Sequence, residues 1–339
     1  MNRIIFIVIS LSFIIADTNI NGDARIRPRL DIISHSSENA TVDLYYLYRA
    51  RLNISSDIGG GWFFKSKIGT NEIAGMTKMG EDNSNTVSNL DSSARPELSF
   101  INLYYGIKKD NFGFWGGVIP LNNNSGLDIH FYSDIMIDIP FLLYNNASTT
   151  GFSGYIYKLN WFISIDGNNT EIIQKEEGED VNALDSFTAG IDFPMKWNNF
   201  LDIHPRALLS MNDSGDPGQM TFGLDMKFKE FFKINPVFSY HYSTQFVDKS
   251  NQYDISHLRM KLNIMRLTFW TDIAEYIDKS NNNAKSSLTY LWIDYNHDLF
   301  KSDRGSISIK PTIRYQMGAL ENPDFNRLKC ELTTEIKFK

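Results

Sequence analysis

Apolar and charged residues alternate from the start of the mature-looking part of the chain. Ala24, Ile26, Pro28, Leu30 and Ile32 are interleaved with Arg25, Arg27, Arg29 and Asp31. Leu44, Tyr46, Tyr48, Ala50 and Leu52 are set against Asp43, Arg49 and Arg51, and Trp62, Phe64 and Ile68 against Lys65 and Lys67. Successive side chains of a strand point to opposite faces. These segments therefore predict three strands with one charged wall and one apolar wall. The same period predicts sixteen strands in all, over 24–33, 42–54, 61–70, 98–108, 112–121, 151–157, 159–166, 186–195, 200–211, 220–228, 234–243, 257–264, 267–277, 288–296, 307–315 and 328–338. Ile101, Leu103, Tyr105 and Ile107 are expected on one face of the fourth, and the phase of 288–296 is ambiguous.

Two arrangements could satisfy such strands. A soluble sheet covers its apolar face with a second layer, whereas a closed sheet in a membrane turns that face to lipid and its charges to water. The connections favour closure. Tight turns are expected after strands two, four, six, eight, ten and twelve. Longer polar stretches follow most odd-numbered strands, including 71–97, 122–148 and 167–185. A membrane barrel sorts its connections in this way, with short turns at one rim and long loops at the other. Pro28, Pro205, Pro236 and Pro311 fall inside strands, where proline removes a ladder hydrogen bond. All four lie on odd-numbered strands in the apolar phase, and they are expected to mark a level near the short-turn rim where pairing loosens.

The first sixteen residues read as an export signal: Arg3, an apolar run from Ile4 to Ile15 broken by Ser10 and Ser12, and Ala16 as a small residue for cleavage. That run is too short for a membrane-spanning helix, and no later segment approaches the length one needs. The expected organisation is a signal over 1–16 and a single barrel domain over 17–339. A net charge of -7 argues against a nucleic-acid binder. Cys330 is the only cysteine, so there is no disulfide framework, and it is expected to face outward from the last strand.

The candidate chemistry lies in two places. Arg25, Arg27, Arg29, Arg49, Arg51, Lys65 and Lys67 are expected to line one wall of an aqueous lumen, where rows of basic side chains attract anions. Residues 122–148 carry Asp128, Asp134 and Asp138 among Ile129, Phe131, Tyr132, Ile135, Ile137 and Phe141, too apolar for a freely solvated loop. Folded inward, that loop would set acidic groups opposite the basic wall and narrow the lumen. No catalytic residue and no metal or cofactor site is expected. The six histidines are scattered without metal-ligand spacing. Asp202, His204 and Arg206 share a face only as alternate residues of one lumen-lining strand.

With the export signal, sixteen alternating segments, the arginine ladder, an inward-looking third loop and Phe338 near the end of the last strand, the chain resembles the Gram-negative outer-membrane porins. Their chains commonly end on the aromatic residue itself, whereas this one ends on Lys339. The resemblance implies an all-β, closed antiparallel transmembrane β-barrel in the outer membrane, with long external loops and short periplasmic turns. It also implies passive diffusion of small hydrophilic solutes, contact with outer-membrane lipid and, in many members, a homotrimer. The basic wall adds a preference for anions. Three alternatives are a channel specific for phosphate or an anionic saccharide, a secreted β-sandwich binding protein, and an outer-membrane enzyme.

Overall fold

Alternation decides which way each side chain of a strand faces, and pairing between neighbours decides whether the sheet has edges. The computed structural model describes residues 17–35, 39–70, 76–78, 98–120, 148–165, 187–211, 217–230, 232–247, 250–318 and 324–339. The predicted signal at 1–16 lies outside them. Sixteen strands form: β1 (Asp17–Ser34), β2 (Thr41–Gly59), β3 (Trp62–Thr70), β4 (Leu98–Lys108), β5 (Phe112–Pro120), β6 (Ser148–Ile156), β7 (Leu159–Ile165) and β8 (Phe187–Asp192) make the first half. The second half is β9 (Leu201–Met211), β10 (Pro217–Phe228), β11 (Ile234–Val247), β12 (Ser250–Ile264), β13 (Leu267–Asp278), β14 (Ala284–Tyr295), β15 (Gly305–Met317) and β16 (Asn326–Phe338). Three short pieces extend this frame. Thr77–Lys78 adds to β2, Met195–Lys196 continues β8 along β9, and His297–Ser302 continues β14 along β15.

Each strand pairs antiparallel with the next, and β16 returns to β1, setting Gly22 against Phe338, Arg29 against Glu331 and Ser34 against Asn326. The expected closed antiparallel barrel is therefore the observed fold, and its sheet has no free edge to protect. Closure separates the two phases into two environments. Outward Ile26, Leu44 and Tyr105 are 53%, 64% and 65% exposed, whereas inward Arg29 and Asp272 are 2% and 0% exposed. The ambiguous phase of β14 is settled by its neighbour: Tyr290, Trp292 and Asp294 face inward, opposite Asp272, Trp270 and Thr268 of β13. Cys330 shares the outward phase of Leu328 and Leu332.

Strand ends depart from the pattern in a physically readable way. Residues 244–247 and 250–256, polar enough to read as a loop, form the extended ends of β11 and β12. That hairpin breaks the expectation of a long connection after an odd strand. Beyond Tyr242 the ladder is reinforced by Asp254, which accepts from Thr244 and Asn251 at 3.0 Å, by Tyr253 stacked on Tyr276 and by buried Ile255. In β4 the register slips between Lys67 and Ile68 of β3, which sets Phe100 rather than Ile101 opposite Ile68. Ile101 is consequently buried, and Leu98 and Phe100 take the outward phase with Leu103 and Tyr105.

The four prolines sit where the ladder is interrupted, always on the side of the preceding strand. The β16–β1 pairing skips Arg27 and Pro28, while Pro28 stays opposite Tyr46 of β2. Strand β8 breaks over Phe193-Pro194 opposite His204-Pro205, before resuming at Met195. The β10–β11 ladder ends at Val237, next to Pro236. Strand β14 is interrupted at Asn296 opposite the Lys310-Pro311 step. A missing N–H accounts for each gap, and two of the three short pieces are the continuations beyond such gaps.

Candidate functional site

Barrel closure converts two charged strand ends, separated by almost the whole chain, into one inward wall. Arg25 stands opposite Glu335 and Arg29 opposite Glu331. Opposite charges directly across a ladder attract, and here they make close ion pairs. Glu331 collects three guanidinium groups: Arg29 Nε at 2.6 Å, Arg314 Nη2 at 2.7 Å and Arg27 Nε at 3.7 Å. Asp23 collects three more, with Arg49 and Arg51 at 2.7 Å and Arg25 at 3.9 Å. Arg25 also donates through Nε to Glu335 Oε1 at 2.5 Å. Arg327 forks onto Asp31 at 2.6 and 2.8 Å, and the Tyr45 hydroxyl donates to the same carboxylate at 2.8 Å.

Seven arginines (25, 27, 29, 49, 51, 314 and 327) thus share four carboxylates (Asp23, Asp31, Glu331 and Glu335). The wall is held in place by its acids yet keeps an excess of positive charge. Each arginine of this wall leans on a carboxylate. Burial of such groups is favourable only when they are paired and hydrogen-bonded. Arg29, at 2% side-chain exposure, is ion-paired with Glu331 and hydrogen-bonded to it and to Tyr45, and Arg314, at 1%, is ion-paired with Glu331.

A second polar chain crosses the other strands. Asn160 donates to Asp192 at 3.0 Å, and Arg206 bridges Asp192 at 3.5 Å and Asp225 at 2.7 Å. His241 stacks on His257 with centroids 5.9 Å apart. His257 and Arg259 both bond Asp272, at 2.8 and 2.6 Å, and Trp270 Nε1 donates to the same carboxylate. Trp270 lies parallel to Trp292 at 4.9 Å, and the Arg314 guanidinium sits 3.9 Å above Trp292. This last contact joins the second chain to the arginine wall. Arg206 is therefore tied to neighbouring strands. Among the described residues, no three His, Cys, Asp or Glu side chains come together to hold a metal ion.

Arg25, Arg27, Arg29, Arg49 and Arg51 are brought together on this wall. Lys65 and Lys67 face the same lumen, but neither makes an ion pair among the described residues; Lys65 instead lies 5.9 Å from the centre of the Phe63 ring. Asp128, Asp134 and Asp138, and the loop 122–148 apart from Ser148, lie outside the described residues. Asp23, Glu331, Glu335, Arg314 and Arg327 were not singled out from the sequence. Glu331 and Glu335 share a phase with Lys329 and Lys337 in the last strand, which is a signal for them once the barrel is closed.

No protein-family model matches the chain, and neither does any curated protein. Solved structures do. The anion-selective porin of Comamonas acidovorans superposes with a TM-score of 0.56 at 10% identity, covering 95% of this chain and 100% of that one. OprB of Pseudomonas putida gives 0.59 at 10% identity, over 94% of each chain. The outer-membrane protein OmpT of Vibrio cholerae, in a trimer form, gives 0.53 at 9% identity, over 95% and 99%. At such identities the likeness establishes the fold: a closed barrel of sixteen strands, of porin type.

Proposed function

We propose that this barrel is an outer-membrane porin, a passive water-filled channel for small hydrophilic solutes with a preference for anions. The observation that carries the reading is the inward wall on which seven arginines share four carboxylates, inside a sheet whose outward phase is apolar. Fixed positive charge on a lumen wall lowers the electrostatic barrier to anions and raises it for cations. The ion pairs hold the guanidinium groups in one geometry, so the field does not depend on mobile side chains. Anion selectivity in the Comamonas protein and the trimer form of the Vibrio protein agree with this reading, which extends to a homotrimer. The channel needs no catalytic group.

Reconstitution into planar bilayers tests the proposal. Stepwise conductance is expected, with a zero-current potential in a salt gradient on the anion side. A purified polypeptide that stays monodisperse in plain buffer and never enters liposomes would overturn it. The outward phase has its own test. Ile26 lies mid-strand on that face, and Arg at a mid-bilayer lipid-facing position costs about 2–4 kcal/mol. Ile26→Arg is expected to shift unfolding in urea by that amount, read from the loss of folded gel mobility. A shift near zero would mean that Ile26 does not meet lipid.

A further inference from the structure

Lys65 and Lys108 face the lumen at the short-turn end of β3 and β4, and their environment differs from that of the arginine wall. Phe63, Gly106 and Trp115 stand in one row across β3, β4 and β5. Gly106 has no side chain, so the rings on either side meet over it, 6.2 Å apart and edge to face. A Cβ at residue 106 would collide with Trp115. The Lys108 ammonium lies 5.1 Å from the centre of the Phe63 ring and 4.9 Å from that of Trp115, and Lys65 approaches the same Phe63 ring at 5.9 Å. Two cations thus approach one phenyl ring. Both lysines are exposed. Neither makes an ion pair among the described residues. The inward carboxylate nearest in register, Asp57, accepts the Gly59 N–H at 2.9 Å and pairs with neither lysine.

Aromatic rings attract an ammonium without neutralising it. The rings therefore fix the position of two positive charges without neutralising them, and no carboxylate among the described residues pairs with either, whereas every arginine of the adjoining wall already shares a carboxylate. A mobile dianion is the species that such a pair lacks, and the lysine ammonium is a point-charge phosphate binder with three donors. We propose that Lys65 and Lys108, held by Phe63 and Trp115, form a binding site for a phosphoryl dianion, as free phosphate or as the phosphoryl group of a larger solute, at the short-turn mouth. This deepens the porin reading and rests on it only for the claim that the solute arrives through the lumen.

Equilibrium dialysis of the detergent-solubilised full chain against radiolabelled inorganic phosphate tests the site without requiring a channel. Saturable binding is expected, about tenfold or more weaker in K65Q/K108Q, with each variant checked for folded gel mobility. K65R/K108R should restore much of the affinity, and F63L should weaken binding by freeing the ammoniums. Displacement by glucose 6-phosphate at lower concentration than by unlabelled phosphate would assign the site to phosphorylated solutes, and the reverse order to the free anion. In bilayers, phosphate should reduce chloride current through the wild type and leave K65Q/K108Q unaffected. Phosphate binding that is absent, that persists in K65Q/K108Q, or that equimolar chloride abolishes would overturn the site. Absence of conductance with dialysis intact would overturn the channel and leave the site standing.

Discussion

Glu331→Gln is expected to weaken the barrel by about 3–5 kcal/mol, the usual loss when one member of a buried charge cluster is removed. The side chain is 0% exposed and serves three guanidinium groups at once. Gln keeps its shape and one acceptor oxygen but no charge, so Arg27, Arg29 and Arg314 would be left crowded without their shared anion. Arg29 keeps its hydrogen bond to Tyr45 at 3.0 Å and Arg314 its stacking on Trp292, neither of which supplies a counter-charge. Urea unfolding followed by tryptophan fluorescence reads the loss, because Trp292 lies under Arg314. Adding Arg314→Met should recover part of it by removing one of the stranded cations. A transition unmoved by Glu331→Gln would mean that the carboxylate is incidental to the wall.

The parts legible in the sequence are those set by side-chain period. Alternation in 24–33 and 328–338 placed Arg25, Arg29, Glu331 and Glu335 each on the inward phase of its own strand. It could not place them next to one another, because adjacency of the first and last strands is a property of closure and not of either segment. The same limit explains His257 and Asp272, whose contact needs the β12–β13 register. Proline was more informative than its usual reading as a breaker: Pro28, Pro205 and Pro311 each predicted a gap on an odd strand, and the gaps explain the split of β8 and β14. The 244–256 hairpin was missed because its residues carry no apolar phase. Ladder pairing and the side-chain bonds to Asp254 carry it, and neither leaves a trace in hydropathy. The phase of Lys65 and Lys67 was legible, but not that neither makes an ion pair among the described residues.

Neutralising Arg25, Arg27 and Arg29 together is expected to shift ion selectivity further than any other inward change. The wild-type wall sets seven arginines against Asp23, Asp31, Glu331 and Glu335, and the triple Gln variant sets four against four. What remains of the preference for anions would then come from the lysines, chiefly Lys65, Lys67 and Lys108. A unit charge acts on an ion about 4 Å away with about 1 kcal/mol in water, which raises the local concentration of an anion about fivefold and lowers that of a cation by about the same factor. The zero-current potential in a potassium chloride gradient should therefore move well toward the cation side. The shift should be largest near 0.1 M salt, where screening extends over about 10 Å, and should shrink towards 1 M, where it extends over about 3 Å. Arg49→Gln with Arg51→Gln should move the potential in the same direction by less, since only two charges are lost. A folded, conducting triple variant with an unchanged reversal potential would place the selective field elsewhere in the barrel and leave the arginine wall as a fastening between the first and last strands.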